Sequence, residues 1–149
     1  MNAAAIVEMR GVGLDYGRGG EALRGVDLQV QAGEVIGLLG QNGAGKTTLL
    51  NLALGILAPQ TGSASVFGLD PKRRTTEVRR RTGYVSEDQH LPGFLTVEQV
   101  LEMHAALYER WDRARAIELA GRFGLEPERR ISSLSKGQAR QAALVAAVA

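Results

Sequence analysis

The chain has 149 residues, 44% of them hydrophobic and 23% charged, which is enough to bury the core of one soluble globular domain. It contains no cysteine, so thiolate zinc sites, disulfides and cysteine nucleophiles are excluded, and any metal must sit on oxygens. A formal net charge of +2 makes no case for a nucleic-acid partner, and the longest apolar run, Ala142 to Ala149, falls far short of the ~20 residues that cross a bilayer.

The first residues, Ala3-Ala4-Ala5-Ile6-Val7, follow no basic segment and soon meet Glu8 and Arg10, unlike a secretory signal, so a cytoplasmic location is expected. No repeat or low-complexity linker divides the chain, and one domain is expected. Residues 6–14 and 22–30 alternate as strands do, broken by Gly11, Gly13 and the Gly17-Arg18-Gly19-Gly20 turn, and predict an antiparallel pair. Glu34-Val35-Ile36-Gly37-Leu38-Leu39 is a nearly continuous apolar run, the pattern of a parallel strand buried on both faces. A glycine-rich turn follows, and then leucines at helical spacing over residues 47–57 until Pro59 and Gly62 close the segment.

Residues 63–67 and Gly83-Tyr84-Val85 read as short strands on either side of an arginine-rich helix. Thr96 and Gln99 are spaced as a capping box for a helix with Val97, Val100, Leu101, His104 and Leu107 on one face. Asp112 caps a third helix to about Phe123, and Ser135 opens a last one still running at Ala149.

The chemistry is concentrated in Gly40-Gln41-Asn42-Gly43-Ala44-Gly45-Lys46-Thr47, which fits G-x-x-x-x-G-K-[ST] at every fixed position. Phosphate binding requires backbone N–H groups aimed inward, and glycines permit both the conformation and the close approach. The helix that follows adds its unpaired N–H groups and its dipole. The chain has fifteen arginines and three lysines, yet places a lysine where a compact point charge suits the β and γ phosphates. Thr47 offers a hydroxyl to Mg²⁺. Gly40, Asn42, Gly43, Gly45, Lys46, Thr47 and Thr48 are the candidate ATP contacts of this segment.

Leu134-Ser135-Lys136-Gly137-Gln138, which opens the last helix, resembles the L-S-G-G-Q signature of ATP-binding-cassette (ABC) transporter ATPases, with Lys136 in place of the first signature glycine. Gly37-Leu38-Leu39-Gly40 and Thr61-Gly62-Ser63 extend the resemblance to most of the chain. It implies an α/β fold: a P-loop NTPase (RecA-like) core with an N-terminal antiparallel β part and a helical signature subdomain at about residues 88–140. It also implies that Ser135, Gly137 and Gln138 contact the γ phosphate held by a second ATPase subunit, in a head-to-tail dimer.

The same resemblance places Tyr16 as the aromatic that stacks on adenine. It sets Glu87 where the family usually carries the Q-loop glutamine, as a candidate catalytic residue beside Lys46 and a candidate Mg²⁺ ligand beside Thr47, with Gln89 as the fallback. Residues 91–97 resemble the surface that meets a transmembrane permease subunit, which would hold the protein at the inner face of the membrane. The family's Walker B carboxylates, D-loop and switch histidine would follow the signature helix, so the chain is expected to be a portion incomplete at its C-terminus and lacking turnover.

The expected function is the ATPase subunit of an exporter-like transporter. The alternatives are a nucleotide-binding fragment without turnover and a soluble cassette of DNA repair or translation. Lys72-Arg73-Arg74 and Arg79-Arg80-Arg81 lack interleaved aromatics and are read as a solvated helix face, with no nucleic acid expected. His90 and His104 have no metal-spaced partners and are assigned no chemistry.

Overall fold

The computed structural model describes residues 5–17, 20–86, 91–108 and 110–149, and divides into two compact units, Met1–Arg79 and Arg80–Ala149. The first unit is built on a three-stranded antiparallel sheet of order β2-β1-β3, formed by β1 (Val7–Asp15), β2 (Glu21–Val30) and β3 (Thr61–Val66). Strict alternation would send Met9 and Val12 to opposite faces. The register shifts between them, where Gly11 takes φ 56 and donates its N–H to Asp27 Oδ1 at 2.7 Å, so Met9, Val12 and Leu14 are all buried. At the start of β2 a hydrogen bond from Arg24 holds the Glu21 carboxyl below the usual carboxylate range.

Helix α1 (Lys46–Ala53) packs on this sheet through Leu49 and Leu52, which join Met9, Val12, Leu14 and Leu23 in one core. It ends four residues before the expected Leu57, because Gly55 at φ 66 stops it. The Gly55 N–H bonds Leu52 O at 3.0 Å and the Ile56 N–H reaches back to Asn51 O at 2.9 Å, a Schellman closure. Only glycine fits there, since a Cβ would lie 2.0 Å from Pro71 O. The expected arginine-rich helix is the short α2 (Thr75–Arg79), held by Val78, which is fully buried, and by Arg79 donating to Leu54 O at 3.1 Å. Arg73 pairs with Asp70 and Arg74 with Glu77 at exposed positions, as expected of a solvated face, but both arginines precede the helix, which includes Arg79 alone of the two basic runs.

Two expected strands are absent among the described residues. Residues 34–39 have no regular secondary structure and pair with no strand: Leu38 is half-buried and, with Ile36 at 44% exposure, lines the space beside Met9, Leu28 and Leu49, while Val35 is 100% and Leu39 96% exposed. Burial on both faces needs ladder partners and a cover on the outer face, and the described residues supply neither. The segment Gly83-Tyr84-Val85 likewise has no ladder, and Gly83 instead lies against the backbone of Ala147, which leaves no room for a Cβ.

The second unit is helical: α3 (Val97–Ala105), α4 (Arg113–Arg122), a 3₁₀ turn (Ile131–Ser133) and α5 (Lys136–Val148). Their starts follow the expected chemistry. Thr96 and Gln99 form a complete capping box, and Asp112 accepts from the Arg115 N–H at 2.9 Å. Val97, Val100, Ala116, Ala120, Ile131, Ala142 and Val145 make the core. Leu107, expected on the buried face of α3, lies beyond the end of that helix and is 64% exposed.

Candidate functional site

The loop of residues 40–47 joins the unpaired residues 34–39 to α1. Gly40, Gly43 and Gly45 adopt φ 155, 84 and 83, values that side chains disfavour. At Gly45 space matters as well as angle: a Cβ would stand 2.4 Å from Ala22 O and 2.8 Å from Leu23 Cδ2, so glycine lets α1 start hard against β2.

That start is arranged for an anion. Gly45 is the N-cap and has no side chain to give, and the first turn carries no acidic residue. Among the described residues, the backbone N–H groups of Lys46, Thr47 and Thr48 find no acceptor within the protein. The Lys46 ammonium folds back over the loop, with Nζ 2.7 Å from both Gly40 O and Gln41 O. Thr47 is exposed beside it, while Thr48 is buried. An uncapped helix end, a glycine cradle and a lysine whose partners among the described residues are two neutral carbonyls together suit a polyphosphate.

Tyr16, just past the end of β1, is 52% exposed, and its hydroxyl lies 3.3 Å from Thr48 Oγ1. The sheet thus brings the expected adenine platform to the helix that starts at the loop. The residue before it is held by a side chain that no motif marks. The Gln60 carboxamide accepts from the Asp15 N–H at 2.8 Å and donates to the Asp15 carbonyl at 2.9 Å.

In the second unit, Ser135 Oγ accepts from the Gln138 N–H at 3.2 Å, and Gln138 Oε1 accepts from the Ser135 N–H at 3.1 Å. Ser135, Lys136 and Gly137 are exposed at the tip of α5. Glu87, Gln89 and His90 lie outside the described residues. His104 bonds Val100 O through Nδ1 at 2.8 Å and lies against Trp111, with ring centroids 6.2 Å apart.

A model of the ABC transporter family matches residues 23–149, from β2 through the signature helix. The chain belongs to that family. It is 35% identical over 134 residues to the ABC transporter ATP-binding protein NatA of Bacillus subtilis, covering 86% of this chain and 54% of NatA. It is 41% identical over 90 residues to the probable multidrug ABC transporter ATP-binding protein YbhF of Escherichia coli, covering 60% of this chain and 16% of that one. Among solved structures it resembles the dimeric MJ0796, a bacterial ABC transporter cassette, with a TM-score of 0.76 and 26% identity over 95% of this chain and 68% of that one. The chain therefore spans about half the length of NatA and less of YbhF. Its fold is that of the P-loop ABC ATPases, here an antiparallel sheet with α1 and a separate helical unit.

Proposed function

We propose that this chain is the nucleotide-holding part of an ABC transporter ATPase subunit, in which Gly40, Asn42, Gly43, Gly45, Lys46, Thr47 and Thr48 contact the phosphates of ATP. The observation that carries this reading is the Lys46 ammonium folded onto the Gly40 and Gln41 carbonyls above a helix end with no capping side chain. An entering polyphosphate exchanges those neutral acceptors for charged ones, and the free amides of α1 receive its remaining oxygens. Thr47, exposed beside Lys46, has the hard oxygen that Mg²⁺ takes, and Glu87 or Gln89 is the second candidate ligand. When bound, Mg²⁺ neutralises phosphate charge. In hydrolysis water attacks the γ phosphorus as its bond to the ADP oxygen breaks, and Lys46 stabilises the charge gathering on the phosphate oxygens, with Glu87 the candidate partner in catalysis.

Tyr16 stacks on adenine in this reading. Ser135, Gly137 and Gln138 complete the site of a second subunit, an arrangement supported by the dimeric structure of MJ0796. We assign residues 1–149 to part of one ABC-type nucleotide-binding domain, with a helical subdomain at about residues 88–140. Residues 91–97 are the surface for a transmembrane permease, supported by Phe94, which is 77% exposed. Attachment to the inner face through that partner belongs to the same reading; no helix among the described residues is long and apolar enough to cross a membrane. An exporter-like role is supported by Gly37-Leu38-Leu39-Gly40 and Val66-Phe67-Gly68, which resemble the corresponding segments of export cassettes.

A second reading, nucleotide binding without turnover, is favoured by the unpaired lead-in to the loop, where Val35 and Leu39 stand in solvent. Calorimetric titration with ATP tests the main reading: Lys46→Ala is expected to bind roughly tenfold more weakly or worse, as for loss of a charge-assisted contact. Equal affinity would overturn the phosphate assignment.

A further inference from the structure

We infer that Gln60 is a positioning residue of the nucleotide site, which sets the adenine platform Tyr16 by clamping the residue before it; this rests on the ATP-binding reading above. The contact is complete in both directions. The carboxamide accepts from the Asp15 N–H at 2.8 Å and donates to the Asp15 carbonyl at 2.9 Å, so a side chain does here what a neighbouring strand does elsewhere in the sheet.

The clamp is itself anchored. The Gln60 N–H donates to Gly13 O at 2.9 Å, so main chain and side chain together grip two alternate residues at the end of β1. Thr61, next in sequence, packs so closely on Gly13 that a Cβ there would come within 2.4 Å of its Oγ1. The Asp15 carboxylate then turns the chain by accepting from the Gly17 N–H at 2.6 Å, and the Tyr16 N–H donates to Gly20 O at 3.2 Å. The Asp15 and Tyr16 N–H groups and the Asp15 carbonyl are thus all engaged, yet the Tyr16 side chain is half exposed, and its hydroxyl reaches Thr48. A platform fixed at its base and open on its face is pre-organised for a planar base, and an ordered platform loses less freedom on binding. Gln60 acts through Tyr16, because the groups its carboxamide holds among the described residues are the N–H and carbonyl of Asp15, next to that ring.

The test titrates the 149-residue chain and its variants with ATP and, separately, with inorganic tripolyphosphate, which lacks a base. Gln60→Met keeps the length of the side chain and removes both hydrogen bonds. It is expected to bind ATP roughly fivefold more weakly while its tripolyphosphate affinity holds, the selectivity that base stacking confers. Tyr16→Ala is expected to show the same selectivity, and Tyr16→Ala combined with Gln60→Met to be no weaker than Tyr16→Ala alone. Gln60→Glu, with an acceptor for the Asp15 N–H but no donor for its carbonyl, is expected to fall with Gln60→Met; thermal melts identify any variant that has unfolded. Equal losses for ATP and tripolyphosphate, or additive losses in the double variant, would overturn the inference and leave the ATP reading standing. If the parent chain binds neither ligand, the ATP reading falls and this inference with it.

Discussion

Ser135 and Gln138 hold each other's backbone: the serine hydroxyl takes the Gln138 N–H at 3.2 Å, and the glutamine carbonyl takes the Ser135 N–H at 3.1 Å. The signature sequence therefore has a local job before any nucleotide arrives, which is to begin α5. Ser135→Ala is expected to cost about 1 kcal/mol of stability through the lost cap. Ser135→Asp keeps a capping oxygen and should melt close to the parent, but sets a negative charge where a γ phosphate is proposed to dock. A urea melt of both variants beside ATP-driven dimerisation of the full-length protein separates the two roles. If Ser135→Asp dimerises with ATP as well as the parent does, the serine is a cap and nothing more.

Gly43 and Gly45 have nearly the same φ, 84 and 83, but opposite surroundings. A methyl on Gly43 meets nothing within 4 Å, whereas one on Gly45 runs into Ala22 O. Gly43→Ala should cost about 1 kcal/mol from backbone strain alone. Gly45→Ala must also push α1 off β2 and should cost distinctly more, ~3 kcal/mol, with loss of ATP binding. Thermal denaturation of the two variants decides it. Equal costs would mean that strain, and not the contact with β2, governs Gly45.

The head-to-tail proposal has its own signature. In the full-length protein, Lys46→Ala and Ser135→Asp chains are each expected to be inactive alone, since every composite site lacks one half. Mixed, they form heterodimers with one intact pair of Lys46 and Ser135, and phosphate release should recover to a fraction of the parent rate. Mixed dimers that form without any recovery would count against Ser135 and Gly137 acting across the interface.

The parts legible in the sequence are those set by neighbours along the chain. Thr96, Asp112 and Ser135 each cap the helix expected of them because a cap is a contact over three residues. The glycine-rich loop before α1 is legible for the same reason, since its turns are set by Gly40, Gly43 and Gly45 themselves. What failed depends on partners far away: residues 34–39 have the composition of a central strand, but pairing is not a property of the segment. The end of α1 falls short of Leu57 because Gly55, buried against Pro71, acts before the more conspicuous Pro59 and Gly62. Gln60 left no trace at all, since a glutamine in a loop has no periodicity or motif, and its meaning comes only from the strand end it reaches.

Within the lead-in to the loop, two adjacent leucines differ sharply, and Val35 gives the clearest test of that difference. Leu38 packs on the core of Met9, Leu49 and Leu52, while Leu39 and Val35 point into solvent at 96% and 100% exposure. Leu38→Lys should therefore cost about 2 kcal/mol or more, because a charge must leave that core or be buried in it. Val35→Lys has no native contact to lose and should leave the melting midpoint within about 0.5 kcal/mol of the parent. An unpaired segment with exposed apolar side chains invites contact with another chain, so the added charge should also reduce self-association. Light scattering across a concentration series, with thermal melts of both variants, measures the two effects together. If Val35→Lys destabilises the chain as much as Leu38→Lys does, the outer face of this segment is covered in solution, and the one-sided packing described here is wrong.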